Sequence, residues 1–315
     1  MAIQRILVTG GAGFIGSHLV EALLARGIEV VVYDNLSMGL RSNVPSSADF
    51  VEGDVRDTVR VEQSLRGVDA VYHLAARVSI RDSNECFRDD ADTNLMGTLS
   101  VLQACARCRP KHFVLASSMA VYADSPTPKP VTEASPTEPI SGYGISKLAA
   151  EKYCLQLCPQ MGIRPTALRF FNTFGTRQTY TPYVGVMTIF IRQLLAGRSP
   201  KIFGGGDQCR DFVHVSDIVA GCLLALECEA QERIFNIGTG RATSVNEIAA
   251  ILIERINPVI KPESAPPQPG ELKNCVADIE RSRKLLGYEP HSTIEGRIDE
   301  VIDYIRSGAA DSALS

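Results

Sequence analysis

Residues 5–16 limit what this chain can fold into more than any other stretch. Arg5-Ile6-Leu7-Val8-Thr9 is a short apolar run. It breaks into Gly10-Gly11-Ala12-Gly13-Phe14-Ile15-Gly16, with glycines three apart, and a helical pattern follows through Leu19, Val20, Leu23 and Leu24. The order is buried strand, tight turn, helix start. Glycines let the backbone turn sharply and come close to phosphates, while the helix start offers free N–H groups and a positive dipole end. A dinucleotide pyrophosphate is the ligand such a turn receives.

A second apolar strand, Ile28 to Tyr33, ends in Asp34, about 20 residues past the glycines, as the dinucleotide fingerprint requires. A carboxylate there accepts hydrogen bonds from both adenosine ribose hydroxyls and repels a 2′-phosphate, so NAD is expected rather than NADP. An Arg41 close to the ribose would weaken that preference.

Downstream, strands are expected at 49–52, 69–74, 111–117 and 165–171, with helices at 14–26, 58–66, 92–108 and 143–160. Such alternation predicts an α/β fold with a doubly wound parallel sheet and right-handed crossovers. The ligand then sits beyond the carboxyl ends of the strands. After Phe171 the texture changes to a Thr-, Tyr- and Gly-rich loop, 172–185. A helix at 186–196, a strand at 201–203, a helix at 216–227, a strand at 233–237 and a helix at 245–255 follow. A proline-rich loop, Pro262 to Pro269, precedes the last helices, and the tail after Gly308 reads as frayed. The expected division is a dinucleotide-binding unit, 1–171, and a smaller mixed α/β lobe, 172–315, with segments near 210–240 returning to the first unit.

With 45% hydrophobic and 22% charged residues, the composition is that of an ordinary globular protein. A net charge of −4 implies no attraction to nucleic acid or membrane surfaces, and no apolar run reaches the length of a span. The first strand begins so soon after Met1 that no signal peptide is expected. Nine cysteines without framework spacing fit reduced thiols in the cytoplasm. Cys105/Cys108 and Cys154/Cys158 lie on expected helices without accompanying histidines, so no metal is expected. His73, His112 and His214 have no nucleophile to serve and receive no catalytic role.

Tyr143-Gly144-Ile145-Ser146-Lys147 opens a helix, and the four-residue interval puts the phenol and the amine on one face. An unperturbed tyrosine titrates near ~10, so a base working near neutrality needs roughly 4 kcal/mol of preferential phenolate stabilisation. A neighbouring ammonium and an oxidised nicotinamide both act in that direction. Ser117-Ser118 ends a strand on the ligand-binding edge. Ser118 is the candidate to relay a proton between a substrate hydroxyl and Tyr143, with Ser117 left to backbone hydrogen bonds.

Taken together, the Thr9-to-Gly16 turn, Asp34, Gly53-Asp54-Val55, Leu74-Ala75-Ala76, Asn94 before Gly97-Thr98, Ser118 and Tyr143/Lys147 resemble the extended short-chain dehydrogenase/reductase superfamily. The resemblance covers nearly the whole chain. It includes Arg169-Phe170-Phe171-Asn172, Arg210-Asp211-Phe212-Val213-His214-Val215, and Pro269-Gly270-Glu271 followed by Ala277-Asp278. The branch most similar is the nucleotide-sugar epimerase/dehydratase group, in particular its 4-epimerases, of which UDP-glucose 4-epimerase is the best known.

That resemblance implies that Gly10, Gly13, Phe14 and Ile15 hold the NAD pyrophosphate and that Asp34, Asn35 and Gly39 surround the adenosine ribose. Asp54 and Val55 meet the adenine. Ala75 and Ala76 line the approach to the nicotinamide, Lys147 binds its ribose, and Leu74, Asn94 and Tyr143 also bind the cofactor. Asn172, Val186, Phe203, Arg210 and Glu271 match positions that grip the nucleoside diphosphate. Arg210 suits phosphate because a guanidinium meets two oxygens in a fork; a salt bridge to Asp207 or Asp211 is the alternative. The implied reaction is reversible: Tyr143, directly or through Ser118, takes the 4-hydroxyl proton of a UDP-sugar, hydride passes to NAD, the 4-keto sugar turns over, and hydride returns to its other face. The implied assembly is a homodimer through the helices at 92–108 and 143–160.

Related 4,6-dehydratases and decarboxylases place acidic residues just after the catalytic hydroxyl. Met119 and Ala120 cannot transfer protons. Cys275 matches a position where a bulky tyrosine excludes N-acetylated sugars, so its small side chain admits UDP-N-acetylglucosamine beside UDP-glucose. Thr179 follows Arg177-Gln178 where glucuronate epimerases carry an arginine, which disfavours that sugar, while Arg81, Arg177 and Arg192 leave it open. Gln268 replaces a phosphate-binding arginine of many relatives. A net nucleotide-sugar oxidoreductase and a non-catalytic NAD-binding regulator are the competing readings.

Overall fold

A computed structural model describes residues 3–78, 80–125, 129–179, 185–266 and 274–308, without the side chains of 80–82. Seven parallel strands form the central sheet. They are β1 (Arg5–Thr9), β2 (Glu29–Asp34), β3 (Asp49–Glu52), β4 (Ala70–His73), β5 (His112–Ser118), β6 (Arg164–Phe170) and β11 (Ile234–Ile237). Their order is β11-β6-β5-β4-β1-β2-β3. Succession reverses between β1 and β4, and the crevice beyond the carboxyl ends of those two strands is where ligands bind in such sheets.

The strands alternate sides as a pleat demands. Ile6 and Val8 of β1, Val30 and Val32 of β2, and Val114 and Ala116 of β5 enter one core with α1 (Phe14–Ala25) and α8 (Val215–Glu227). Leu7, Val31, Tyr33, Phe113 and Leu115 enter the other, with α2 (Thr58–Ser64), α5 (Gly97–Cys108) and α6 (Gly142–Gln160). Both faces of the sheet are thus covered, which is why its strands read as continuous apolar runs.

A third core belongs to the lobe. Phe174, Phe190, Ile202, Phe212, Ile248 and Ile302 pack there. They come from β7 (Asn172–Phe174), α7 (Val186–Leu195), β8 (Lys201–Phe203), β10 (Phe212–His214), α9 (Val245–Ile256) and α11 (Ile294–Arg306). Between these lie β9 (Cys209–Arg210), β12 (Thr243–Ser244), β13 (Glu263–Ala265), β14 (Asn274–Cys275) and α10 (Glu280–Leu286). β9 is the middle strand of β12-β9-β14, β7 pairs with β10, and β8 pairs with β13.

Several expectations need correction. The helix read at 92–108 starts earlier and is not uniform. After α3 (Ile80–Glu85), α4 (Phe87–Ala91) runs through a π turn, Asp92–Met96, into α5. The loop read at 172–185 contains β7, and the proline-rich segment contains β13, parallel to β8. Gln268, Glu271 and the tail after Gly308 lie outside the described residues.

Beneath β5 and β6 lies a buried ion pair. Arg169 makes a fork to Glu151 of α6, with Nη2 at 2.6 Å and Nε at 3.0 Å, and Ser117 Oγ donates to the same carboxylate at 2.6 Å. Arg169 also lies 4.8 Å over the Tyr122 ring. Both charges are all but sealed from solvent, 3% and 2% exposed, so loss of one partner strands the other. Arg169→Met is expected to lower unfolding stability by about 3–5 kcal/mol in urea titrations. A second change, Glu151→Leu, should recover part of that loss, and no recovery in the double variant would refute the pairing.

Candidate active site

The turn after β1 brings the two central strand ends together. Gly10 has φ 71°, and a Cβ there would stand 2.7 Å from the Ala75 backbone nitrogen. Only glycine meets both demands. Leu74 N donates to Thr9 O at 3.1 Å and Ala75 N to Thr9 Oγ1 at 3.3 Å, fixing the Leu74-Ala75-Ala76 segment beside the glycine turn.

Gly13 differs: its φ is −79°, and a Cβ would meet only Gly10 O, at 3.2 Å. It precedes Phe14 and Ile15 at the start of α1 and caps that helix without a side-chain bond. A side chain would fill a space that the backbone keeps open in front of free helix N–H groups, as a phosphate requires. Asp34 stands alongside, 7% exposed. It accepts from Ala12 N at 3.0 Å and Leu36 N at 2.8 Å, one bond per oxygen, with lone pairs left for hydroxyls. Burial raises its pKa and the two amide bonds oppose that rise.

Gly39 packs on Ala12, whose carbonyl also receives Leu40 N. Asn35 donates to Asp54 at 3.1 Å, and the Arg56 fork holds the Asp54 carboxyl down to about 2. Val55 is buried next to Gly97. Arg41 lies 4.6 Å over the Phe50 ring and donates to Val44 O. These residues fit an adenosine diphosphate moiety with a free 2′-hydroxyl.

On the other side of the crevice, Ser118 ends β5 and accepts from Ala120 N at 3.1 Å. Gly144 lets α6 abut this turn, since a Cβ there would fall 2.2 Å from Ala120 O. Ser141 caps the helix, and Tyr143 N donates to Ser83 Oγ at 2.9 Å. The result sets the Tyr143 phenol near the Ser118 hydroxyl, which favours the phenolate form. Met119 and Ala120 are both buried.

One expectation fails in its detail. Lys147 Nζ lies 6.0 Å from the Tyr143 ring centre and donates to Ala116 O at 2.9 Å. Burial pushes the Tyr143 phenol up to about 12, opposed by the Ser118 hydroxyl and aided by the Asp90 charge. Burial likewise pulls Lys147 down to about 8, against the pull of Asp90. The ammonium alone therefore does not acidify the phenol. Reaching neutrality from there takes roughly 7 kcal/mol, so a full positive charge closer to the phenol is needed.

Asn94 is 1% exposed. Its Oδ1 accepts from Arg77 N at 2.8 Å and its Nδ2 donates to Arg77 O at 3.0 Å and Asp90 at 2.9 Å. It thereby braces the segment after Ala76.

The lobe residues join the site through Asp211. Fully buried, Asp211 accepts from Thr239 N, Thr239 Oγ1, Gly240 N and Ala277 N, which holds β14 and the 239–240 turn in place. Its carbonyl receives Asn172 N at 3.0 Å, and its amide donates to Cys275 O at 3.2 Å. Arg210 is the ladder partner of Cys275 and donates to Cys209 O at 2.9 Å. Asp211 is thus spent on backbone, not on Arg210. Among the described residues, Asn172 Oδ1 is buried without a hydrogen-bond partner, an acceptor awaiting a donor. Phe203 and Val186 are half-buried, and Cys275 is 2% exposed.

Asp90, Ser83, Asp211 and the Glu151–Arg169 pair escaped sequence reasoning as site supports. Their one signal is acidic or small polar residues in segments otherwise patterned for burial. The histidines prove structural. His73 is clasped by Thr9 at 2.7 Å and Thr98 at 3.0 Å, and burial pulls it down to about 3. His214 meets Ser216 and Glu300. Among the described residues, no three His, Cys, Asp or Glu side chains converge as a metal site. Nor is any helix among them long and apolar enough to cross a membrane.

Residues 6–238 match the model of the NAD dependent epimerase/dehydratase family. The UDP-glucose 4-epimerase of Mycolicibacterium smegmatis is 33% identical over 96% of this chain and 99% of its own. A Thermotoga maritima UDP-glucose 4-epimerase, solved with UDP-glucose, superposes with a TM-score of 0.92 at 36% identity, covering 97% of this chain and all of that one. The Thermus thermophilus UDP-glucose 4-epimerase, solved with NAD, gives 0.89 at 36% identity over 96% of this chain and 99% of that one. With that agreement over nearly its full length, this chain belongs to the NAD dependent epimerase/dehydratase family.

Proposed function

We propose that the chain is a 4-epimerase of a UDP-hexose, interconverting UDP-glucose and UDP-galactose with NAD as a bound prosthetic group. The observation that carries this reading is the packing of Gly144 against Ala120 O, which sets Tyr143 beside the strand end that carries Ser118, followed by buried Met119 and Ala120 in place of acids. A phenol and a hydroxyl move one proton to and from a carbinol, and the adjoining Met119 and Ala120 have no group to serve an elimination or decarboxylation step.

Gly13, Phe14, Ile15 and Asp34 hold the dinucleotide, and Lys147 holds its nicotinamide ribose. When bound, NAD supplies the acceptor and donor of hydride at C4 and, when oxidised, a positive charge. Tyr143 takes the 4-hydroxyl proton, directly or through Ser118, and later returns it. Asn172, Arg210 and Phe203 of the lobe anchor the nucleoside diphosphate, with Glu271 and Val186 completing that subsite, so the sugar alone turns. N-acetylated sugar as a second substrate is supported by Cys275, a small side chain beside Arg210 in the ladder.

The reading extends to assembly and compartment. A homodimer through the helices expected at 92–108 and 143–160 is supported by Met96 of the π turn and Ile145 and Tyr153 of α6, large apolar side chains 51%, 58% and 45% exposed. A reducing cytoplasm is supported by nine free cysteines.

Tyr143→Phe should retain NAD through purification and lose about 10²–10⁴ of its turnover of UDP-glucose, followed by NMR of the 4-epimers. Undiminished turnover would remove the assigned base. Lys147 gives a stability test. Its pKa falls from an ordinary 10.5 to about 8 on folding, so between those values the unfolded chain holds a proton that the folded chain has released. Stability then rises with pH in that window. Nucleotide-free Lys147→Met should therefore lack that rise, its stability relative to the parent falling by up to about 3 kcal/mol between pH 7 and pH 10 whatever its absolute level. A variant equally destabilised at both pH values would contradict the assignment.

A further inference from the structure

The site residues named above leave one stretch of the lobe's chain without a task. Residues 175–179 leave β7 and run against α1 of the sheet. A Cβ on Gly175 would stand 3.3 Å from the Phe14 ring and 2.6 Å from the Val215 side chain. Thr176 O lies 3.1 Å from His18 Nε2. Arg177 Nη2 donates to Glu21 Oε1 at 2.6 Å, and Thr179 Oγ1 donates to Met38 O at 2.9 Å. Phe14, His18 and Glu21 share one face of α1, at helical spacing.

Those partners are the two walls of the glycine turn that receives the dinucleotide. Phe14 opens α1 directly after Gly13. Met38 precedes Gly39, which packs on Ala12, and Leu40, whose N–H donates to Ala12 O at 3.1 Å. Five residues of the lobe's chain thus reach from one wall to the other. Their footing is in the lobe. Gln178 Oε1 accepts from Thr188 Oγ1 of α7 at 2.7 Å, and Gln178 Nε2 donates to Thr173 O at 3.4 Å.

The local backbone is strained. Among the described residues three without a glycine's freedom have positive φ, and two of them border this turn: Arg177 at 65° and Leu36 at 58°, whose N–H donates to Asp34. Left-handed backbone is costly for a residue with a side chain and persists only where its surroundings impose it. At Arg177 the surroundings are Glu21 and the bonds on either side. The ion pair is partly open to solvent, with the guanidinium 24% and the carboxylate 45% exposed. Ties of that kind are individually weak, so the stretch can let go without disturbing either core.

We propose that residues 175–179 are a clasp that retains the dinucleotide, and that Arg177 must part from Glu21 and Thr179 from Met38 O before NAD leaves. This rests on the functional reading above, in which NAD stays bound between turnovers. The clasp moves neither proton nor hydride. It acts through α1 and the Met38 stretch, so Arg177 and Thr179 are positioning residues. Release of the cofactor is then governed by contacts outside the residues that hold it, and Gln178 ties those contacts to α7, the helix that begins at Val186.

The test is exchange of the cofactor in the full chain, purified with its NAD. The holoenzyme is incubated with a large excess of 14C-labelled NAD, and the label taken up by the protein is counted against time, which reads release of the resident molecule. Thr179→Val removes the hydroxyl and keeps the shape; it should speed exchange about 5-fold, and Thr179→Val with Glu21→Gln about 10-fold or more. Thr179→Ser keeps the hydroxyl and should exchange at the wild-type rate. A double variant no faster than wild type overturns the proposal, and so does a Thr179→Ser variant as fast as Thr179→Val. Complete exchange of the wild type within the mixing time also overturns it. Conversion of UDP-glucose is followed in the same samples by NMR. Conversion by the wild type with equal exchange rates throughout overturns the clasp and leaves the functional reading standing. Slow wild-type exchange, fast exchange in the double variant and no conversion supports the clasp and overturns the functional reading alone.

Discussion

A missing side chain at position 144 governs the geometry of the reactive residues. Any Cβ there would drive α6 away from the turn after β5 and carry Tyr143 out of reach of Ser118. Around that contact the protein builds inward from both sides. Ser141 and Ser83 set the helix start, while Ser117, Glu151 and Arg169 lock the strand end from below. The adjacent serines divide the work: one faces the buried ion pair, the other the crevice. Strand alternation alone produces that division, because consecutive residues of β5 point to opposite faces.

Electrostatically the site is poised rather than ready. Burial disfavours both the tyrosinate and the lysine ammonium, and the Asp90 charge favours the ammonium while opposing the phenolate. A chain with this arrangement holds its phenol neutral until a cation arrives next to it. Base strength is therefore coupled to cofactor charge, which suits a reaction in which the proton must leave as hydride leaves and return as hydride returns.

Much of this is legible in the sequence, and the parts that are not have physical reasons. The glycine turn, Asp34 and the long strands announce themselves because a doubly covered sheet demands continuous apolar runs. Tyr143 and Lys147 are legible as a pair from their spacing, but their mutual distance and the dominance of burial over the ammonium depend on packing that no spacing encodes. Asn94 reads as a cofactor contact, but its bracing of Arg77 and Asp90 depends on packing that spacing does not encode. The strands β7, β9, β12 and β14 are two or three residues long, too short to express any period. Asp90 looks like one acid among several in a polar stretch, and only the packing of α4 against α6 brings it to Ser146.

The route of the chain between its cores carries a mechanical meaning. After β6 the polypeptide enters the lobe, returns to the sheet as α8 and β11, goes back for β12 to β14, packs α10 against the sheet-side core and ends with α11 in the lobe. Two bodies stitched by so many passages cannot open like a book on a single flexible spine. Whatever travel admits a nucleotide sugar must be distributed as small sliding displacements across several seams. The same stitching makes the lobe unable to outlive the sheet, so a single cut in either body undermines both.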